Sequence, residues 1–127
     1  MAVKFLSDEW AAAVTEALNN SDAFKQSAGS QTAKIQQVVE TPEGEKRYFF
    51  KLENGQAEVG TGDLEGAEAT VSQDYDTAVA LSKNELSGTA AYMSGKLKLQ
   101  GDLMKMMQLQ GLFATLPQAV AGVDVEY

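Results

Sequence analysis

The side chains able to do chemistry in this chain are almost all carboxylates. Asp63, Glu65 and Glu68 lie close together, and Asp74 and Asp76 follow them. Close-set acids point to two chemistries: coordination of a hard cation through oxygen, or an acid–base pair that shuttles a proton. Neither group has the alternating twelve-residue ligand loop that the first requires. The second needs burial to drive two pKa values apart, and each of these acids stands among polar neighbours. Asp74 and Asp76 have a plainer role, compensating the positive end of a helix that begins beside them. The run Gly60-Thr-Gly-Asp-Leu-Glu-Gly66 approaches a dinucleotide-binding loop. Its third glycine comes one residue late, however, and a strand pattern follows where a phosphate would need a helix N-terminus. It reads as a hairpin-type loop. Ser94 precedes a glycine but has no base nearby. With no histidine and no cysteine, the chain is excluded from Ser-His-Asp triads, thiolate chemistry, disulfides and His/Cys zinc sites. The expectation is a protein that is not an enzyme, with no catalytic residue, metal or cofactor.

What the chain has instead is an apolar surplus. A helix expected over 102–116 carries Leu103, Met104, Met106, Met107, Leu109, Leu112, Phe113 and Leu116, more than the ~100°-wide stripe that seats a helix on a core. Four of the five methionines lie between Met93 and Met107. Unbranched, polarizable Met suits a wall that adapts to different shapes. The surplus is covered by plain core, a partner subunit or an apolar ligand. At helical spacing Leu103, Met106, Met107, Gln110 and Phe113 share one side, so Gln110 is the single polar group on an apolar stripe. Facing inward, its amide needs a partner: backbone, water or a ligand's polar end. The competing rotation of the helix puts Gln108 and Gln110 at the surface.

The positioning elements follow from local signals. A chain of 127 residues, 44% hydrophobic and 22% charged, reads as one globular domain over 1–127. Ser7 caps a helix over 8–19, with Trp10, Val14, Ala17 and Leu18 on its buried side. Ser21 caps a shorter one holding Ala23, Phe24 and Ala28. Strands are expected over 34–40 and 45–53, the second alternating Tyr48, Phe50 and Leu52 against Arg47, Phe49 and Lys51. Asn54-Gly55 is a two-residue hairpin signal leading to a strand over 56–61, with Ala57, Val59 and Thr61 inward. A fourth strand over 67–72 alternates Ala67, Ala69 and Val71. A helix over 73–83, a loop over 84–88, a helical turn over 89–94 and a fifth strand over 97–100 complete the order before the methionine-rich helix, which Leu116-Pro117 ends. The fold class is α+β: a five-stranded, mainly antiparallel sheet with helices on one face.

The net charge of −8 opposes binding to nucleic acid and long-range attraction to anionic lipid. Lys96, Lys98 and Lys105 make at most a small positive spot, and a solvated strand face is the simpler reading. No run of ~18 uncharged apolar residues is present, so at most transient membrane contact is expected. Acids stand where a signal peptide's apolar region would continue, and the C-terminal Val-Asp-Val-Glu-Tyr is no peroxisomal address; the expected location is cytoplasmic.

Tyr48-Phe-Phe-Lys-Leu-Glu-Asn-Gly55, Ala67-Glu-Ala-Thr-Val-Ser72 and Ala91-Tyr-Met-Ser-Gly-Lys-Leu-Lys-Leu-Gln-Gly-Asp102, with the helix after them, resemble the sterol carrier protein 2 (SCP2) domain family. The resemblance covers about residues 35–113 and is most specific from Gly95 to Asp102. Gly95, Lys96, Leu97, Gly101, Asp102, Met107, Leu109 and Gln110 match the family's pattern; Ser82-Lys83-Asn84 departs from its usual Gly-Lys ending. The resemblance implies an apolar cavity between sheet and helices that takes a fatty acid, acyl-CoA or sterol-like lipid. Phe50, Leu52 and Val71 then make one wall, extended by Leu97 and Leu99. Met93, Leu103, Met106, Met107, Gln110 and Phe113 make the opposite wall. The alternative is a non-catalytic dimerisation or accessory module for a partner enzyme. A monomer or a homodimer is expected.

Overall fold

Short polar side chains start the helices where the sequence predicts. The computed structural model describes residues 2–83 and 85–127. After a two-residue strand β1 (Val3–Lys4), the Ser7 hydroxyl accepts from the Trp10 N–H at 3.1 Å and opens α1 (Asp8–Asn19). Ser21 accepts from the Phe24 N–H at 3.2 Å and opens α2 (Asp22–Ala28). The strands β2 (Ala33–Thr41), β3 (Gly44–Glu53) and β4 (Gln56–Thr61) form a meander. Asn54 and Gly55 both take positive φ, +54° and +76°, so the two-residue turn matches the twist of its strands. There follow β5 (Ala69–Asp74), α3 (Tyr75–Ser82), α4 (Gly88–Met93) and β6 (Lys98–Gly101). The chain closes with α5 (Leu103–Gln108), α6 (Gln110–Phe113), α7 (Leu116–Ala119) and β7 (Val125–Glu126). The loop expected over 84–88 begins at Asn84, outside the described residues.

The main sheet has the order β4-β3-β2-β5-β6. Every neighbour pair is antiparallel except β2–β5, which is parallel. The segment from Gly60 to Gly66 is therefore not a hairpin, contrary to the sequence reading, but part of a crossover from one side of the sheet to the other. Two side-chain devices explain this. First, α1 occupies the free edge of β4. Thr15 accepts from the Val59 N–H at 2.8 Å, while Asn19 donates to the Ala57 carbonyl at 2.9 Å and accepts from its N–H at 2.8 Å. No strand can add there. Second, the buried Gln36 amide donates to the Gly62 and Tyr48 carbonyls at 3.0 Å and accepts from the Leu64 N–H at 2.6 Å, pinning the crossover to the sheet.

Alternation on the strands sends Ile35, Phe50, Leu52, Val59 and Val71 to one buried face, onto which Leu18, Phe24, Leu109 and Leu112 pack. Thr61 departs from the expected alternation: it is exposed and donates to the Asp8 carboxylate. Gly101 has φ +99°, and a Cβ there would lie 2.6 Å from the Glu68 carbonyl oxygen. Only glycine lets β6 approach β5 this closely while turning into α5. The expected single last helix is three short ones. Gly111 weakens its middle, and Pro117 sits in the first turn of α7 rather than after a helix, since its missing N–H is not needed there. The terminal strands β1 and β7, which local signals do not reveal, pair in parallel, and Tyr127 packs on Phe5 at 5.0 Å.

Candidate functional site

The strand wall of the site is built by register. Phe50 stands opposite Ile35 and Val59, and Val71 opposite Leu99. Phe50, Leu52 and Val71 are buried; Leu97 and Leu99 at the sheet edge are half-buried against them. On the facing side, α5 and α6 bring Leu109 and Leu112, both almost wholly buried, flanked by half-buried Met106 and Phe113. The Phe113 ring meets Phe50 edge-on at 5.9 Å, and Phe50 meets Phe24 at 6.3 Å. This aromatic row joins α2, β3 and α6 across the sheet–helix seam. The inner face also carries polar groups. Gln73 donates to the Gln37 side-chain oxygen at 2.9 Å. Tyr48 stands edge-on to Trp10 at 5.1 Å, and burial pushes its phenol pKa well above the ordinary value of 10.0, so it stays neutral.

Of the residues the sequence assigns to the site, seven meet at this seam: Phe50, Leu52, Val71, Leu97, Leu99, Met106 and Phe113. Four do not. Met93, Leu103 and Met107 are 79%, 45% and 70% exposed, and Gln110 is exposed as well. The inward stripe through Leu103, Met107 and Gln110 is thus corrected by a rotation of the helix. The pair Leu109 and Leu112, one turn apart, takes the inward place. Burying two leucines is favourable, whereas burying an amide costs free energy until it is bonded. Neither leucine is in the wall that the sequence suggests, although Met106, Leu109 and Leu112 follow one another at i, i+3 spacing and Phe113 lies four residues after Leu109. Two clefts of about 330 and 390 Å³ lie elsewhere, the first between α1 and the C-terminal segment around Glu16 and Asp124, the second beside Lys51 and Glu53.

Five carboxylates have roles in the fold. Asp63 accepts from Arg47 at 2.9 Å, and Glu45 lies 3.0 Å from the same guanidinium; the two hold its pKa above the ordinary value. Glu68 accepts from the Lys34 N–H at 3.0 Å. Asp74 caps α3 and Asp102 caps α5, accepting from the Thr77 and Lys105 N–H groups at 2.8 and 3.0 Å. Among the described residues no three acids are grouped to hold a metal ion, and no helix is long and apolar enough to cross a membrane.

An α+β domain with one apolar sheet face covered by short C-terminal helices defines a class of helix-covered sheets. Comparison with known proteins narrows the class. The pattern of the SCP-2 sterol transfer family matches residues 14–114. The chain belongs to that family, whose members bind and transfer lipids. It is 30% identical over 102 residues to hydroxysteroid dehydrogenase-like protein 2 of Xenopus tropicalis, covering 80% of this chain and 23% of that protein. The chain spans less than a quarter of the length of the curated relatives it matches. Among solved structures, a possible sterol carrier protein of Thermus thermophilus superposes with a TM-score of 0.81 at 20% identity, over 98% of this chain and 93% of that one. A palmitated SCP2L2 of Aedes aegypti gives 0.66 at 20% identity, over 89% of this chain and 95% of that one.

Proposed function

We propose that this protein holds one long-chain lipid, a fatty acid or its acyl-CoA, between the inner face of the sheet and α5–α6, and carries it through water. The observation that supports this most is that the family match over residues 14–114 takes in both walls of the seam. Those walls are apolar wherever they meet: Phe50, Leu52, Val71 and Leu99 against Met106, Leu109, Leu112 and Phe113. The palmitated Aedes aegypti relative favours an acyl chain over a sterol ring.

In this reading the seam opens by parting α5–α6 from the sheet. Short helices with a glycine among them are suited to that, since few hydrogen bonds hold them as one rod. Burying about a dozen methylenes is worth ~10 kcal/mol gross at ~0.8 kcal/mol each. Parting the walls and ordering the chain offset part of it, leaving room for a micromolar Kd, which corresponds to about −8 kcal/mol. Met106 and Phe113, already half-buried at the rim, are the side chains that swing to admit the chain. Gln110, exposed at the start of α6, meets the polar end. The protein acts as a monomer in the cytoplasm and performs no chemistry on its cargo.

Titrating delipidated protein with a fluorescent fatty acid and a fluorescent acyl-CoA tests the proposal. One saturable site at micromolar or lower concentration is expected; no saturable signal with either probe overturns it. A second reading has its own support, because the chain spans only a part of its curated relatives. As a non-catalytic dimerisation or accessory module it would use the apolar surplus as a subunit interface. Native mass spectrometry separates the two: lipid retained on a monomer supports the carrier, and a lipid-free dimer supports the module.

A further inference from the structure

The two edges of the main sheet are finished differently. The Asp102 N–H donates to the Glu68 carbonyl at 2.9 Å, and the register sets Thr70 opposite Gln100 and Ser72 opposite Lys98. In an antiparallel pair, successive residues turn their backbone groups alternately toward and away from the partner strand. Lys98 and Gln100 therefore turn their N–H and C=O groups to β5, whereas Leu99 and Gly101 turn theirs outward. On the opposite edge the outward residues of β4 are Ala57 and Val59, and α1 satisfies both: Asn19 holds the backbone of the first and Thr15 that of the second. Among the described residues β6 has no such seal, for no hydrogen bond from outside the sheet reaches the backbone of Leu99 or Gly101. Gly101 is exposed, and in a glycine that exposure is of the backbone itself.

We propose that the outer edge of β6 is a docking site for an extended peptide segment of a partner protein, which adds to the sheet as an antiparallel sixth strand. Unpaired edge groups are a template for such addition. The edge also specifies the chemistry of the segment. Its residue opposite Leu99 accepts from the Leu99 N–H and donates to the Leu99 C=O. Side chains alternate along a strand, so the residues opposite Leu99 and Gly101 lie on the inner, apolar side of the sheet. Leu99 is only half-buried and Gly101 has no side chain, so both places take apolar residues, the larger one beside the glycine. The residue opposite Lys98 lies on the outer side. Lys98 is exposed, stands opposite Ser72 and makes no ion pair among the described residues, so an acid fits there. Lys96 is not counted on, because Asp74 already acts on it. From its N-terminus the segment thus reads apolar, polar, apolar, acidic. A second copy is a poorer occupant. Helix α4 ends at Met93 and α5 starts at Leu103, so pairing two β6 edges brings helices of both copies to the same ends, and each copy carries a net charge of −8. The inference goes beyond lipid carriage, since the edge lies outside the seam.

The test is NMR titration of ¹⁵N-labelled, delipidated full-length protein with the peptide acetyl-Ser-Phe-Thr-Val-Glu-Ile-Ser-amide, whose valine falls opposite Leu99. Saturable shifts centred on the Leu99 and Gly101 amides are expected, with slower hydrogen exchange of those two N–H groups at saturation. The same peptide N-methylated at its valine lacks the donor for the Leu99 carbonyl and should not bind. Lys98→Glu should weaken the parent peptide and strengthen one with lysine in place of its glutamate. Thermal melts of the variant show that the fold is kept. Absence of saturable shifts, shifts that leave Leu99 and Gly101 unmoved, or equal binding of the N-methylated peptide would overturn the proposal. So would a Lys98→Glu variant with the parent's affinity for both peptides, or a peptide-free dimer that itself slows exchange at Leu99 and Gly101. Because the fluorescent-acid titration is done without peptide, failure here leaves lipid carriage standing, and failure there leaves strand docking standing.

Discussion

At the level of single residues, the site is a contest between leucines and an amide for the inward side of one helical stretch. Leu109 is fully buried and Leu112 nearly so, whereas Gln110 between them is exposed. Leu109→Ala should therefore lower stability by ~2–5 kcal/mol in urea unfolding, because it empties a packed position under the sheet. Gln110→Leu, at an exposed position, should cost less than Leu109→Ala in the same experiment. In the proposed site it should still alter the ratio of affinities for a free fatty acid and its acyl-CoA, and an unchanged ratio would place Gln110 outside the site. Gln36 behaves oppositely, since its buried amide ties the crossover to the sheet by bonds to Gly62, Tyr48 and Leu64. Gln36→Leu should cost about 1–3 kcal/mol, as three backbone groups lose their partner.

Elements differ in how far the sequence reveals them. Two helix starts were legible because a cap is local: Ser7 and Ser21 each lie three residues before the N–H they bind; Asp74 and Asp102, expected within the first turns of their helices, cap them in the same way. The strand wall was legible because Phe50, Leu52 and Val71 obey a period of two. The helix wall was legible only in part, since a segment apolar nearly all round does not say which side faces the core. The place of β5 was not legible, because it depends on α1 sealing β4 from forty residues away in sequence. That seal gives a prediction: a Thr15→Val, Asn19→Leu variant frees the β4 edge, and light scattering should show association that grows with concentration. The Asp74 cap gives another. Hydrogen bonds from Thr77 hold this carboxylate below its ordinary value of 3.8. Its stabilisation is thus present above the unfolded pKa and is lost as the pH falls through the folded one. Asp74→Ala should be less stable than the parent by ~1 kcal/mol at neutral pH, a gap that closes in strong acid when both are unfolded by urea.

On the scale of the whole molecule, a chain of net charge −8 keeps four of its five methionines in the last third of its sequence, whose short helices cover an apolar seam against the sheet. Its place in the SCP-2 sterol transfer family makes the apolar seam the first place to look for bound lipid. The most direct measurement locates the cargo. Protein with ¹³C-labelled Met, Leu and Phe side chains, saturated with unlabelled palmitate, is examined by isotope-filtered NMR for contacts between ligand methylenes and protein groups. Cross-peaks are expected from the acyl chain to the Met106 methyl, to Leu99 and Leu109, and to the Phe50 and Phe113 rings. Saturable palmitate binding without those cross-peaks, or with contacts confined to Met93, Met104 and Met107 on the outer face, would contradict it.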